Sequence, residues 1–258
     1  MTNSWVSVFT KFFAGACMTV FLFSAQAVQL TTETKEFSVE PDAKIQRTIL
    51  TVEPREYLKT AAANLPPSNS RVIQLILSYP DNGTHTYWWP KKGEGSYDGS
   101  TTDVVLNGQV VMKGEPQQRT FCCGLTLEVF YKLLSGNAQM AQLLQGHEDN
   151  FKKDWFCRNI DSPGPAEALE NAKLGKRITN FDDAMPGDFV QIWRTSKSGH
   201  SVIFINWIYD TKGERIGVQY WSTQKSTRGI GFNSELFGKI PGLSLIDVDK
   251  LSIARPTF

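Results

Sequence analysis

The chain has 258 residues, of which 41% are hydrophobic and 21% charged. This composition excludes a disordered, collagen-like or coiled-coil protein, and the length allows one large domain or two small ones. The formal net charge of +1 argues against binding nucleic acid through a basic surface.

The N-terminal residues 1–27 have the pattern of an export signal. Residues 12–23 form an apolar run of signal-peptide length, too short for a comfortable membrane span, and the cleavage pattern Ala25-Gln26-Ala27 follows it. The alternatives are an uncleaved N-terminal anchor and a lipoprotein modified at Cys17. We therefore expect a signal peptide, a periplasmic or secreted protein, and no stable membrane insertion after cleavage.

Cleavage would leave three cysteines, Cys122, Cys123 and Cys157. Export places them in an oxidising compartment. Since their number is odd, at least one thiol is free or pairs outside the chain. One hypothesis is a disulfide between Cys123 and Cys157 that leaves Cys122 free.

After the leader, the sequence predicts an N-terminal extension, residues 28–69, and a main domain, residues 70–258. Pro66-Pro67 and the polar residues after it mark the boundary. The main domain is expected to begin with a short helix over residues 71–79, capped by Asn69 or Ser70.

Further along the chain, helices are expected first and antiparallel strands second. Asn107-Gly108 predicts the turn of a hairpin over residues 103–112, and the wide apolar stripe of residues 124–134 predicts a buried helix. Two or three more helices are expected within residues 138–176. The predicted strands cover residues 188–193, 201–209, 216–222 and 251–254. This order indicates an α+β fold.

A cysteine and a histidine carry the chemistry that the sequence predicts. Cys122 lies just before the buried helix, where the positive end of the helix dipole favours the nucleophilic thiolate. A nucleophilic cysteine needs a base, and His85, His147 and His200 are the three histidines. His200 follows Gly199 and opens a strongly apolar strand, so we expect it to face a cleft and to be the base.

The base in turn needs a polar group that orients its ring. The predicted strand that starts at Ser201 turns near Lys212, so reflection about that turn places Gln224 across the hairpin from His200. Ser222 lies on the same side of its strand and is the second candidate, because side chains alternate along a strand.

Several short motifs occur in an order that resembles the NlpC-type branch of the papain-like cysteine peptidase and amidase superfamily. They are the helix over residues 71–79, the aromatic segment 83–89, the nucleophile motif 121–125, the Pro-Gly-Asp segment 186–188 and the Gly-His pair 199–200. The resemblance covers about residues 71–224. It implies a catalytic helix packed on an antiparallel sheet, here with a helical insertion.

By this resemblance, Cys122 takes the position of the nucleophile and Tyr87 that of a tyrosine beside it. Phe121 stands where the family has an aspartate, so the usual contact with a peptide amine is not implied. Asp188 is expected to be structural.

The predicted function is that of an exported thiol hydrolase that cleaves an amide bond, with a cell-wall or other peptide as substrate, through Cys122, His200 and Gln224. The alternatives are an acyltransferase and a non-catalytic binding module for glycan or peptide. In the binding module, Tyr87-Trp88-Trp89 and Trp221 would form a stacking platform. No cofactor is expected, and no Cys-x-x-Cys or His-x-x-x-His spacing indicates zinc.

Overall fold

The structure, a computed structural model, describes residues 17–20, 28–39, 43–91, 93–238 and 244–258. The predicted cleavage motif lies outside the described residues. Within them, no helix is long and apolar enough to cross a membrane.

The helices and strands follow the expected α+β order. The helices are α1 (Pro54–Ala61), α2 (Pro67–Ser78), α3 (Cys122–Ser135), α4 (Ala138–Gln142), α5 (Glu148–Trp155) and α6 (Pro165–Asn171). The strands are β1 (Cys17–Val20), β2 (Val28–Val39), β3 (Ala43–Thr51), β4 (Val104–Leu106), β5 (Gln109–Met112), β6 (Gly175–Ile178), β7 (Phe189–Trp193), β8 (Gly199–Tyr209), β9 (Arg215–Gln224), β10 (Gly229–Leu236) and β11 (Ser252–Pro256).

Nine strands form one antiparallel sheet. Its order is β1-β2-β3-β8-β7-β11-β6, while β9 pairs with both β8 and β10. The strands β4 and β5 form the separate, predicted hairpin, and its turn residues Asn107 and Gly108 have φ values of 51° and 78°. Both values fit the left-handed turn that Asn-Gly favours.

Helix α3 is almost completely buried and contacts β8 and β9 of the sheet. Its Phe130 lies in a cluster of rings, with centroids 5.2 Å from Phe151, 5.1 Å from Trp155 and 6.0 Å from Phe189. Burial of one such side chain stabilises the fold by about 1.5–3 kcal/mol. Packing of these aromatic side chains therefore holds α3, the helix that begins at Cys122, in its position on the sheet.

Helix α2 begins earlier than the sequence predicts. Pro66 is its N-cap and Pro67 its first residue, so the predicted caps Asn69 and Ser70 both lie inside the helix. Proline at the first helical position is favourable because its fixed φ already suits the helix. The Asn69 amide is used elsewhere, since its Nδ2 donates to the Pro186 carbonyl at 2.9 Å and to Asp188 Oδ1 at 2.8 Å.

The predicted boundary at residues 69 and 70 therefore falls within one helix. The segment before it also joins the sheet, because β3 pairs with β8 at Leu50 and Tyr209. The Gln219 side chain on β9 hydrogen bonds to both the N–H and the carbonyl of Val52, each at 3.0 Å. Residues of the predicted extension and of the main domain thus share one sheet.

Within the predicted main domain, two strands of the sheet, β6 and β10, are absent from the sequence prediction. Strand β10, with the sequence GIGFNSEL, contains glycine, asparagine, serine and glutamate, which have low strand propensity. It is held by pairing with β9 along its whole length, from Gly229 opposite Gln224 to Leu236 opposite Gly217.

Candidate active site

Cys122 is the first residue of α3, whereas the sequence predicts it just before the helix. Phe121 is the N-cap with extended backbone, and its N–H donates to the Gly99 carbonyl at 3.3 Å. The first N–H groups of a helix have no acceptor within the helix, so they remain available to an anion or an oxyanion.

Gly124 allows a close approach of two backbone segments in the first turn of α3. A Cβ atom at this position would lie 1.9 Å from the Asp98 carbonyl oxygen and 2.7 Å from Gly99 atoms. Gly124 is the third residue of the helix. It is required because the segment at residues 98–99 passes directly over the helix start.

The pKa of the Cys122 thiol lies well below its usual value. The largest cause is a hydrogen bond from the Cys123 thiol, and burial opposes it. The charge of His200, a hydrogen bond with its ring and the backbone N–H of Ser201 lower the pKa further. The pKa of Cys123 is raised by its hydrogen bond to Cys122 and by burial. Of the vicinal pair, Cys122 is therefore the thiol that ionises more readily, and Cys123 is the hydrogen-bond donor to it.

His200 lies at the start of β8, beside the first turn of α3. Its pairing partner on β7 is Ile192. The next residue, Ser201, hydrogen bonds through its hydroxyl to the Thr126 hydroxyl of α3 at 2.8 Å, which fixes the strand against the helix. The structure thus brings the two predicted catalytic residues, Cys122 and His200, together.

The imidazole of His200 has an unusual environment. The side chain is 5% exposed, and its Nε2 is buried without a hydrogen-bond partner. Its ring meets the Tyr220 ring at a centroid distance of 5.4 Å and an angle of 73°. The group from the neighbouring strand that packs against the His200 imidazole is therefore the Tyr220 ring and not an amide oxygen.

The predicted hydrogen bond between Gln224 and His200 does not form. The register of Ile203 opposite Trp221, continued along the strands, does place Gln224 across from His200. However, Gln224 Oε1 lies 2.9 Å from the Tyr220 hydroxyl and its Nε2 donates to Ser226 at 2.7 Å.

Ser222 also fails to orient the histidine. Its hydroxyl donates to the Ser201 carbonyl at 2.8 Å, and the side chain is buried. The register predicted for β8 and β9 is correct. The directions of the Gln224 and Ser222 side chains, however, are set by their hydrogen-bond partners. Ser222 is thus part of the strand pairing rather than of the reacting centre.

Tyr87 lies beside the two thiols. Its segment is fixed by an isolated bridge to Thr120, with the Trp88 N–H donating to the Thr120 carbonyl at 2.9 Å. Burial, Cys122 and Cys123 raise the pKa of Tyr87 to about 12. The phenol is therefore protonated at neutral pH and is a hydrogen-bond donor next to the nucleophile.

The aromatic platform that the sequence predicts is smaller in the structure. Trp89 is 57% exposed, and its ring meets Phe121 edge-on at 5.1 Å, while Phe121 meets Phe156 at 5.8 Å. The inclusion of Trp221 was wrong: this side chain is fully buried and packs on Tyr79 at 5.4 Å. Trp88 is buried as well.

Cys157, His85 and His147 are not part of the Cys122–His200 pair. Cys122, Cys123 and Cys157 are all free thiols, so the hypothesis of a Cys123–Cys157 disulfide was wrong. His85 Nδ1 lies 3.1 Å from the Gln118 carbonyl, and His147 is exposed at the start of α5.

Three residues near His200 are missing from the sequence prediction: Arg194, Tyr220 and Glu235. Arg194 Nε and Nη2 donate to the two oxygens of Glu235 at 2.7 and 2.6 Å, and the Tyr220 hydroxyl donates to the same carboxylate. Strand alternation could have placed Tyr220 on the face of His200, but Glu235 depends on the unpredicted strand β10.

No group of three or more histidine, cysteine, aspartate or glutamate side chains is arranged to hold a metal among the described residues. Two surface cavities of about 390 and 370 Å³ lie around residues such as Arg47 and Arg177, and neither includes Cys122 or His200. The thiol retains 8% exposure, so access to it is narrow.

A scan against protein-family models, a search of the curated proteins and a search of the solved structures each found no match for this chain.

Proposed function

We propose that this protein is an exported thiol hydrolase with a papain-like, NlpC-type fold that cleaves an amide bond in a peptide or peptidoglycan-like substrate. The proposal is supported most by one arrangement, a cysteine at a helix N-terminus beside a histidine whose charge lowers the pKa of the thiol. This pairing is the usual means of activating a cysteine nucleophile. Cleavage of the leader and a periplasmic or secreted location belong to the same proposal, and the mechanism uses no cofactor.

In the first half of the reaction, His200 holds the proton of Cys122 and the thiolate attacks the carbonyl carbon of the substrate. A C–S bond forms, and the negative charge moves to the carbonyl oxygen. The backbone N–H of Cys122 at the start of α3 and the Tyr87 phenol are the available donors to that oxygen. His200 then gives its proton to the leaving nitrogen as the C–N bond breaks, which leaves an acyl-thioester.

In the second half, His200 takes a proton from water, and the resulting hydroxide attacks the thioester carbonyl. The C–S bond breaks, the acid is released and the thiolate–imidazolium pair is restored. An acceptor amine in place of water would give acyl transfer with the same residues. The ratio of hydrolysis to transfer in the presence of added amine separates these two activities.

The surroundings of the nucleophile favour an apolar group on the substrate. Phe121 occupies the place of the family's aspartate, and its ring packs between Trp89 and Phe156. Unlike an aspartate, none of these three rings carries a negative charge that could pair with a free amine. The exposed Trp89 offers a stacking surface instead. We therefore propose a substrate with an apolar or sugar group, rather than a free amine, next to the scissile bond.

The test compares the wild type with Cys122→Ala, Cys123→Ala and Cys157→Ala on amide-linked cell-wall peptides. Only Cys122→Ala should lose activity completely, by about 10³-fold or more. Intact-mass spectrometry after rapid acid quench should show an acyl adduct on Cys122. Equal activity of Cys122→Ala and the wild type would remove the nucleophile and with it this function.

A binding module is the second candidate, because the reacting pair is so little exposed. Cys122 is 8% and His200 5% exposed, whereas Trp89 beside them is 57% exposed. Thiol reactivity separates the two candidates. Rapid alkylation of Cys122 near neutral pH supports the enzyme, and an inert Cys122 combined with ligand binding that depends on Trp89 supports the binding module.

A further inference from the structure

The base of the proposed reaction, His200, lacks the partner that a catalytic histidine normally has. Its Nε2 is buried without a hydrogen bond, and the predicted partner Gln224 is engaged elsewhere. A buried imidazolium is costly unless it is both paired and hydrogen-bonded, and here the Cys122 thiolate is its partner while Nε2 has no hydrogen bond. Another group near His200 must therefore favour its charged form if the pair is to work.

The face of the sheet around His200 provides such a group. Tyr220 lies opposite Phe204 on β8 and opposite Asn233 on β10, so alternation along the strands puts His200, Tyr220 and Glu235 on one face. The rings of His200 and Tyr220 touch, and the hydroxyl of Tyr220 donates to the Glu235 carboxylate.

The Glu235 carboxylate accepts three hydrogen bonds from two residues. Arg194 grips both carboxylate oxygens at 2.7 and 2.6 Å, and Tyr220 donates to one of them. Tyr220 is itself fixed by Asn233, whose Nδ2 donates to its hydroxyl at 3.1 Å. Gln224 also lies within reach of this hydroxyl, but the single phenolic proton goes to the carboxylate, which is the stronger acceptor. The bidentate pairing with Arg194 fixes the orientation of the Glu235 carboxylate and favours its charged form.

The charges around the site alternate in sign. Burial would raise the pKa of Glu235, but Arg194, and then the charge of His200 and the Tyr220 hydrogen bond, bring it below its usual value. The titratable and charged groups around Cys122 and His200 are Cys123 from α3, Cys157 after α5, Arg194 after β7, Tyr220 from β9, Glu235 from β10 and Tyr87 from the segment bridged to Thr120. The site thus contains two negative groups, the Cys122 thiolate and the Glu235 carboxylate. They alternate with two positive groups, the His200 imidazolium and the Arg194 guanidinium, so the sum of these four charges is zero.

We propose that Glu235, clamped by Arg194 and Tyr220, is the positioning carboxylate of this site, and that the Tyr220 ring carries its effect to His200. This inference rests on the proposed function. In place of a direct hydrogen bond from the imidazole N–H to an amide oxygen, the site has the Tyr220 ring with the Glu235–Arg194 ion pair behind it. An aromatic ring attracts a cation at its face, and the carboxylate beyond the ring favours the thiolate–imidazolium form over the neutral thiol and imidazole.

The test measures the rate at which iodoacetamide alkylates Cys122, as a function of pH, by peptide mass spectrometry. Glu235→Gln should shift the pH profile of alkylation upwards by about one unit, which is about tenfold slower alkylation below the midpoint of the profile, because loss of a nearby opposite charge shifts such an equilibrium by about one pKa unit. The rate should return to that of the wild type at alkaline pH, where the thiol ionises without help from His200. Tyr220→Phe keeps the ring contact and should give a smaller shift in the same direction.

Glu115→Gln is the matched control, because Glu115 is also a buried glutamate paired with an arginine, Arg119, at 2.8 Å. It should change stability without changing the pH profile of Cys122. If Glu235→Gln and Tyr220→Phe give the wild-type profile, the role of Glu235 is structural and the inference is wrong. Since alkylation needs no substrate, a Glu235-dependent profile in a protein that hydrolyses nothing would overturn the hydrolase and leave the positioning intact.

Discussion

The two halves of the candidate site are built in different ways. The cysteine half is local: Phe121, Cys122, Cys123 and Gly124 are consecutive, and one helix start determines their arrangement. The histidine half is assembled from distant segments, with His200 on β8, Tyr220 on β9 and Glu235 on β10. A local motif can be recognised from spacing alone, whereas a partner contributed by another strand requires the full sheet register.

The largest expected effect tests whether the two halves act as one unit. His200→Gln should lower kcat/KM by about 10³-fold, since general acid–base catalysis contributes 10²- to 10⁴-fold. It should also raise the pKa of Cys122, because the charge and the hydrogen bond of His200 both lower it. Steady-state kinetics on an activated acyl substrate and thiol alkylation measure the two effects.

The double variant Cys122→Ala/His200→Gln provides the control for this prediction. It should be no less active than Cys122→Ala alone, because residues that act as a unit are not additive. A further loss in the double variant would show that His200 acts on the substrate independently of the thiol.

The second prediction concerns the stability of the cysteine half. Gly124→Ala would place a Cβ atom 1.9 Å from the Asp98 carbonyl oxygen, so the segment over the helix start must shift. We expect a loss of about 1–3 kcal/mol in the free energy of unfolding, the usual cost of overpacking. Chemical denaturation followed by fluorescence measures this loss.

Gly136→Ala at the other end of α3 is the matched control. Gly136 has a φ of −74°, and a Cβ atom there would meet only the Leu133 carbonyl oxygen, at 3.3 Å. This variant should stay within about 0.5 kcal/mol of the wild type, as surface substitutions usually do. Equal losses in both variants would mean that the close approach at Gly124 is not the cause.

The sequence predicts the cysteine half well because its signals are short-range. The Asn107-Gly108 turn is confirmed, and so is the buried helix predicted over residues 124–134, which begins two residues earlier, at Cys122. The α+β class is confirmed for the same reason: the helices and most strands have clear periodicity. Helix α2 was misplaced at its start because Asn69 resembles a cap, while its amide in fact binds Pro186 and Asp188.

The histidine half was predicted less well because it depends on contacts between strands. Reflection about the hairpin gave the correct register for Gln224, but register does not determine where a long side chain points. Glu235 was missed because β10 has a polar sequence and is held by pairing with β9 rather than by propensity. Tertiary context overrides strand propensity in such cases.

The smallest expected effect returns to the cysteine half and concerns the vicinal thiol. The Cys123 thiol donates to Cys122 and is the largest cause of its lowered pKa. Cys123→Ala should therefore raise the pKa of Cys122 by about one unit, since a hydrogen bond to a charged group contributes about 1.5–3 kcal/mol. Alkylation of Cys122 would then be about tenfold slower at pH values below the midpoint of its pH profile and unchanged at alkaline pH.

Cys157→Ala is the matched control for this last prediction. Burial and the nearby Cys122 charge raise the pKa of Cys157 to about 12, so its thiol is protonated at neutral pH. Its removal takes away no hydrogen bond to Cys122, because its sulfur donates to the Ser162 carbonyl at 3.6 Å. If Cys123→Ala left the profile of Cys122 unchanged, activation of the thiol would depend on His200 and the helix start alone, and the cysteine half would not be self-sufficient.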